Sequence, residues 1–204
     1  MSTRTRIALV DDEEAVLDSL RLYLGVKGFE VRCFEQADEL LEALTDGLAV
    51  ECIVSDVRMP GLSGLDLQRE LTVRRNRIPL ILMTGYGDIE MAVSAIKSGV
   101  HDFIEKPFDE QRLVVVIEEA LSQAQRRQAD ERDMEDLAAR VAELTKRQRE
   151  VMDLAVHGLT NKEIAVKLGI RWRTVESHRA WVMQRTGAKN LAELVRIAML
   201  LERS

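Results

Sequence analysis

The chain has 204 residues, 46% of them hydrophobic and 31% charged, with a formal net charge of −6; this suits one large globular domain or two small ones with a linker. No apolar run approaches the ~18 residues of a membrane span, so no membrane-spanning helix is expected. The charge is uneven, with 13 Lys/Arg against 23 Asp/Glu in residues 1–124 but 12 against 6 in residues 144–204, which predicts an acidic front domain and a basic back domain suited to nucleic acid.

The N-terminal Met-Ser-Thr-Arg-Thr-Arg leads straight into a strand and lacks the apolar core of a signal peptide, so a cytoplasmic location is expected. Residues 5–10 read as a short buried strand ending at Asp11 and Asp12. Val16, Leu17, Leu20 and Leu24 have helical spacing from Glu14, and Gly25 and Gly28 end that helix. Residues 30–34 alternate as a strand, and Leu40, Leu41 and Leu44 mark a second helix. The run 51–55 is the next strand. It meets Asp56, and Met59-Pro60-Gly61 turns the chain away. Residues 65–74 are helical and 79–83 form a short apolar strand followed by Thr84. Asp88 caps a helix carrying Met91, Ala92, Ala95 and Ile96. Phe103-Ile104 is a fifth strand, stopped at Lys106-Pro107, and Asp109 starts a last helix through Leu113, Val116 and Ile117. Cys33 and Cys52 lie in apolar runs without CxxC spacing and read as structural thiols.

Strand and helix alternate five times over about 120 residues, the pattern of a parallel sheet covered on both faces. Ligands of such sheets bind outside the carboxyl ends of the strands. Asp11, Asp12, Asp56, Thr84 and Lys106 all fall at such ends, so the topology gathers them. Crowded carboxylates without His or Cys suit a hard cation, Mg²⁺ or Mn²⁺. A Lys opposite a Thr hydroxyl suits a phosphoryl group, and a carboxylate can itself be phosphorylated. Gly85-Tyr86-Gly87 lacks the third glycine of a dinucleotide fingerprint and does not follow the first strand, which disfavours a nucleotide-binding fold.

Residues 118–143 are mostly polar until Met134, Leu137 and Val141. With no Pro or Gly, the last helix either runs on or restarts there. The segment reads as a dimer-forming helix or as a solvated spacer. From Leu144 on, the pattern is all-helical. Thr145 caps one helix, Thr160 with Glu163 makes a capping box for the next, and Gly169 ends that one. A helix from about Thr174 to Arg185 follows, and Asn190 caps the last. Two short helices joined by a tight turn, the second with basic flanks, fit a helix-turn-helix.

The set Asp11-Asp12, Asp56 with Met59-Pro60-Gly61, Thr84 and Lys106-Pro107 resembles the receiver domain of two-component response regulators. The stretches Leu144–Val151, Gly158–Ala165 and Thr174–Ala180 resemble the LuxR/NarL-type DNA-binding domain, and the combination is similar to the FixJ subgroup. The resemblance implies a receiver over 1–122 with a five-stranded parallel doubly wound sheet of order 2-1-3-4-5. A helical linker over 123–143 and a four-helix domain over 144–204 would follow. It implies Asp56 as phosphoacceptor from a sensor histidine kinase. Mg²⁺ would be held by Asp12, Asp56 and the Arg58 carbonyl, with Asp11 acting through water. Lys106 would pair with the phosphoryl oxygens, while Thr84 and Phe103 switch conformation and the Lys106-Pro107 bond is cis. Arg58 and Tyr86 would tune dephosphorylation, the only reaction the chain would support beyond its own phosphorylation.

For the basic end, the resemblance implies promoter DNA and RNA polymerase as partners, with a homodimer when phosphorylated. Glu176, Ser177 and Ala180 would face bases. Lys162, Arg171, Arg173, Thr174, Arg179 and Lys189 would contact phosphates. Val175 and Val182 face the core, with His178 packed beside them. Arg171-Trp172-Arg173-Thr174 departs from the family's Ser-Pro-Arg-Thr, which removes a Ser N-cap. Trp172 and Trp181 either pack on the sugar-phosphate backbone or cover apolar surface. Two competing readings are a constitutive DNA binder with the receiver as a platform, and a small phosphohydrolase working through an aspartyl phosphate.

Overall fold

A computed structural model describes residues 4–85 and 99–202. The helix expected from Asp88, with Met91, Ala92, Ala95 and Ile96, lies outside the described residues, as does Tyr86. The chain divides into two compact units, Met1–Arg126 and Arg127–Ser204.

The first unit contains β1 (Arg6–Val10), α1 (Glu14–Val26), β2 (Glu30–Phe34), α2 (Ala37–Thr45), β3 (Cys52–Asp56), α3 (Gly64–Val73), β4 (Leu80–Thr84), β5 (Asp102–Glu105) and the start of α4 (Glu110–Ala142). All strand pairs are parallel, as the alternation of strand and helix predicts, and their order is β2-β1-β3-β4-β5, as the resemblance implies. Asp56 and Thr84 are the last residues of their strands; they do not follow them.

The side-chain period of two divides each central strand between two cores. Ile7, Leu9, Cys52, Val54, Ile81 and Met83 pack against Leu17, Leu20 and Leu24 of α1 and against Leu113, Val116 and Ile117 of α4. Ala8, Val10, Ile53, Leu80 and Leu82 face the other way, against Leu40 and Leu41 of α2 and Leu67 and Leu71 of α3. Burial on both faces is why β1, β3 and β4 read as unbroken apolar runs. Each fully buried aliphatic side chain contributes roughly 1.5–3 kcal/mol, so the strand ends that carry the polar residues are rigidly placed.

The helix α4 is one uninterrupted helix of 33 residues, so the helix that begins at Glu110 runs on through residues 118–142 and does not restart. The second unit holds its C-terminal end and α5 (Lys146–Val156), α6 (Asn161–Leu168), α7 (Trp172–Thr186) and α8 (Leu191–Glu202). Thr145 and Thr160 make reciprocal capping boxes with Gln148 and Glu163, and Asn190 Oδ1 accepts from the Glu193 amide at 2.9 Å. Val151, Ala155, Ile164, Ala165 and Val175 form one core, and Leu144, Met152, Val182, Ala188 and Leu194 another. Gly169 closes α6 in the left-handed region at φ 64°. The turn is therefore so short that α7 starts at Trp172, two residues before the predicted Thr174. Among the described residues, no helix is long and apolar enough to cross a membrane.

One contact fixes the loop behind β3. A Cβ on Gly64 would lie 2.4 Å from the Asp56 carbonyl oxygen and 2.8 Å from Leu82 Cδ2, well inside contact distance. Gly64→Ala is expected to destabilise the first unit by ~1–3 kcal/mol, measured by urea unfolding. An unchanged midpoint would mean that the loop has room to shift.

Candidate functional site

The carboxyl edge of the sheet gathers the residues that the sequence places there. Asp11 follows β1 and is 1% exposed. Its Oδ1 accepts from the Glu13 amide at 3.0 Å, and its Oδ2 from Lys106 Nζ at 2.9 Å. Asp56 ends β3; its Oδ1 lies 2.6 Å from the same Lys106 Nζ, and its Oδ2 accepts from the Arg58 amide at 2.7 Å. Lys106 is delivered by β5, its own amide donating to the Thr84 carbonyl at 2.6 Å, and its peptide bond to Pro107 is cis. Thr84 is buried, and its hydroxyl donates to the Gly85 carbonyl at 3.2 Å. Phe103 is half-buried against the core that faces α2 and α3. Asp12 is exposed.

One ammonium thus bridges two carboxylates from neighbouring strands. Burial of Lys106 opposes its charge, but the hydrogen bonds and charges of Asp56 and Asp11 outweigh burial and raise its pKa above the ordinary lysine value. Among the described residues, no three acidic, His or Cys side chains gather into a cage for a metal. Mg²⁺ does not require one, because it commonly keeps several waters and takes only one or two carboxylates. The all-oxygen donors Asp12, Asp56 and the Arg58 carbonyl fit such a site.

Sequence reasoning missed two groups that hold Asp56. The buried Ser55 hydroxyl donates to the Asp56 carbonyl at 2.9 Å, and Gly64 lies against the same oxygen. The signal for Gly64 was its place immediately after the Ser63 cap, where a glycine costs helix stability without a packing reason.

In the second unit, Lys162, Arg171, Arg173, Thr174, Glu176, Ser177, Ala180 and Lys189 are exposed. Ser177 donates to the Arg173 carbonyl at 3.1 Å, which leaves its lone pairs free. His178 is half-buried. Trp172 and Trp181 are 48% and 55% exposed, and the Arg173 guanidinium stacks over the Trp172 ring at 5.5 Å. Arg179 differs from the other basic residues in being half-buried, with Nη1 donating to Asn161 Oδ1 at 2.7 Å. Arg171 occupies the N-cap of α7 and makes no capping hydrogen bond.

Two outcomes follow from this geometry. Because its folded pKa is raised, Lys106 stabilises the fold fully below the ordinary lysine pKa, and that contribution is lost as pH rises through the higher folded value. Lys106→Met is expected to cost ~2 kcal/mol at neutral pH, less than a fully buried pair because the lysine side chain is 26% exposed. Denaturant titrations at rising pH check the sign, since the gap between wild type and variant should close as Lys106 loses its charge. Arg171→Ser is expected to stabilise the second unit by ~1 kcal/mol, since the N-cap backbone at φ −70°, ψ 142° already matches that of Thr160 at φ −73°, ψ 161°.

Residues 7–118 match the family model of the response regulator receiver domain, and residues 142–198 match that of the bacterial regulatory proteins of the luxR family. Over 98% of this chain and 97% of its relative, the sequence is 45% identical to the transcriptional regulatory protein FixJ of Bradyrhizobium diazoefficiens. It is 43% identical to FixJ of Rhizobium meliloti over 95% of this chain and 94% of that one. Among solved structures, the response regulator StyR aligns with a TM-score of 0.78 at 38% identity, covering 97% of this chain and 99% of that one. Full-length FixJ from B. japonicum aligns with a TM-score of 0.62 at 45% identity, covering 97% of each. On these matches and this architecture, the chain belongs to the two-component response regulators that join a receiver domain to a LuxR-type DNA-binding domain, in the FixJ-like subgroup.

Proposed function

We propose that the chain is a transcriptional regulator switched by phosphorylation of Asp56. The observation that carries this reading is the pair of contacts from Lys106 Nζ, at 2.6 Å to Asp56 and 2.9 Å to Asp11. They place a cation where a phosphoryl group on Asp56 would need neutralising. A carboxylate oxygen of Asp56 attacks the phosphorus of a phosphohistidine on a sensor kinase. The O–P bond forms, the P–N bond breaks, and the electron pair leaves on the imidazole nitrogen. Asp12, Asp56 and the Arg58 carbonyl would hold Mg²⁺, which supplies charge neutralisation for the transferred group. Lys106 exchanges its contact with Asp56 for the phosphoryl oxygens while keeping Asp11. The Thr84 hydroxyl gives up the Gly85 carbonyl to donate to a phosphoryl oxygen, and Phe103 turns further inward into the space this opens.

Phosphorylation then favours a homodimer, which presents two recognition helices to two half-sites of promoter DNA. There the dimer meets RNA polymerase. The only turnover in this scheme is hydrolysis of the chain's own aspartyl phosphate.

With acetyl phosphate and Mg²⁺, the wild-type chain is expected to gain one phosphoryl mass and Asp56→Asn none. Beryllofluoride with Mg²⁺ should raise the mass seen by light scattering to that of a dimer and tighten DNA binding by about a hundredfold. Labelling of Asp56→Asn, or a response to beryllofluoride in neither mass nor affinity, would overturn the reading.

A further inference from the structure

We propose that Arg179 does not bind DNA phosphate but is a positioning residue, clamping the recognition helix α7 to the first residue of α6 through Asn161. Three observations support this. First, Arg179 lies four residues after Val175 and three before Val182, both buried, so it shares their inward side of the helix. Glu176, Ser177 and Ala180 occupy the exposed remainder. Second, its guanidinium is turned toward α6, Nη1 donating to Asn161 Oδ1 at 2.7 Å in a part-buried setting. Third, α6 needs such a hold. It has eight residues, of which only Ile164 and Ala165 are buried and Leu168 is half-buried against the same core, so its apolar grip on α7 is small. Its other end is tied in the same way, since Arg147 Nη2 donates to the Leu168 carbonyl at the α6 C-terminus. An arginine thus grips each end of α6, from α7 at the start and from α5 at the finish.

A phosphate contact and a clamp differ in what they do to salt dependence. Each phosphate neutralised by a cationic side chain contributes about 0.9 to the slope of log affinity against log salt on duplex DNA. A clamp contributes affinity through geometry and leaves that slope alone. The two also differ in coupling: residues that act through one hydrogen bond show non-additive losses.

The full-length chain and the variants N161A, R179A and N161A/R179A are titrated, over a series of salt concentrations, with a duplex that the wild-type chain selects from a random-sequence pool. R173A serves as the phosphate-contact control. N161A and R179A are each expected to weaken binding about tenfold, with the double variant no weaker than either single. R179A should keep the wild-type slope, whereas R173A loses about 0.9. N161A carries the test even where R179A folds poorly, because it keeps the arginine and frees it. Wild-type affinity in N161A, or a slope in R179A reduced as in R173A, would overturn the clamp. The titrations are run with and without beryllofluoride and Mg²⁺ and compared within one state. A missing response to beryllofluoride then counts against phosphorylation control and not against the clamp.

Discussion

The receiver unit depends on one ammonium held between two carboxylates. β1 and β3 are neighbours in the sheet, so Asp11 and Asp56 end up side by side at its edge, where like charges in a partly desolvated setting repel strongly. Lys106 removes that repulsion from two strands away, its long stem reaching past β4. This makes the site sensitive to any new charge. A group that brings its own negative oxygens to Asp56 competes for the same ammonium, and the competition must be resolved by movement of Lys106, Thr84 or the chain that follows them. The contact that stabilises the resting arrangement is thus the one a phosphoryl group would redistribute.

That arrangement needs unyielding support, and the double-sided burial of β1, β3 and β4 supplies it. Asp56 is held at its carbonyl by the Ser55 hydroxyl and by the close approach of Gly64, and at its carboxylate by Lys106 and the Arg58 amide. With both ends of the residue fixed, the freedom left at the site belongs to the groups around it.

The parts legible in the sequence were those with local causes. Apolar runs cut off by Asp, Thr or Lys gave the strands and their functional ends, because a strand buried on both faces admits polar side chains only where it leaves the core. The cap at Thr145 and the box at Thr160 were readable because a cap and its partners lie within one turn, although the return bond from Gln148 that completes a box at Thr145 was not singled out. What escaped had non-local causes. The start of α7 at Trp172 depends on how tightly Gly169 turns the chain. The hydrogen-bond partner of Arg179 is Asn161, 18 residues earlier on another helix. The role of Gly64 is visible only once the Asp56 carbonyl is seen beside it.

The continuity of α4 belongs to the same class, and its physical basis is instructive. Residues 125–133 are all exposed, so that stretch has no packing to hold it. A solvated helix of this length is marginal by itself, since nucleation is costly even though each added residue is nearly neutral. Here nucleation is supplied from both ends. Leu113, Val116, Ile117 and Ala120 are locked into the core of the first unit, and Val141 packs on that of the second beside Leu144. Arg149 donates to the exposed Val141 and Ala142 carbonyls at 3.3 and 3.2 Å, capping the last turn where the orphan carbonyls carry the negative end of the helix dipole. The middle of α4 therefore needs only to propagate between two fixed nuclei, and its helicity is tied to the integrity of the two cores that hold its ends.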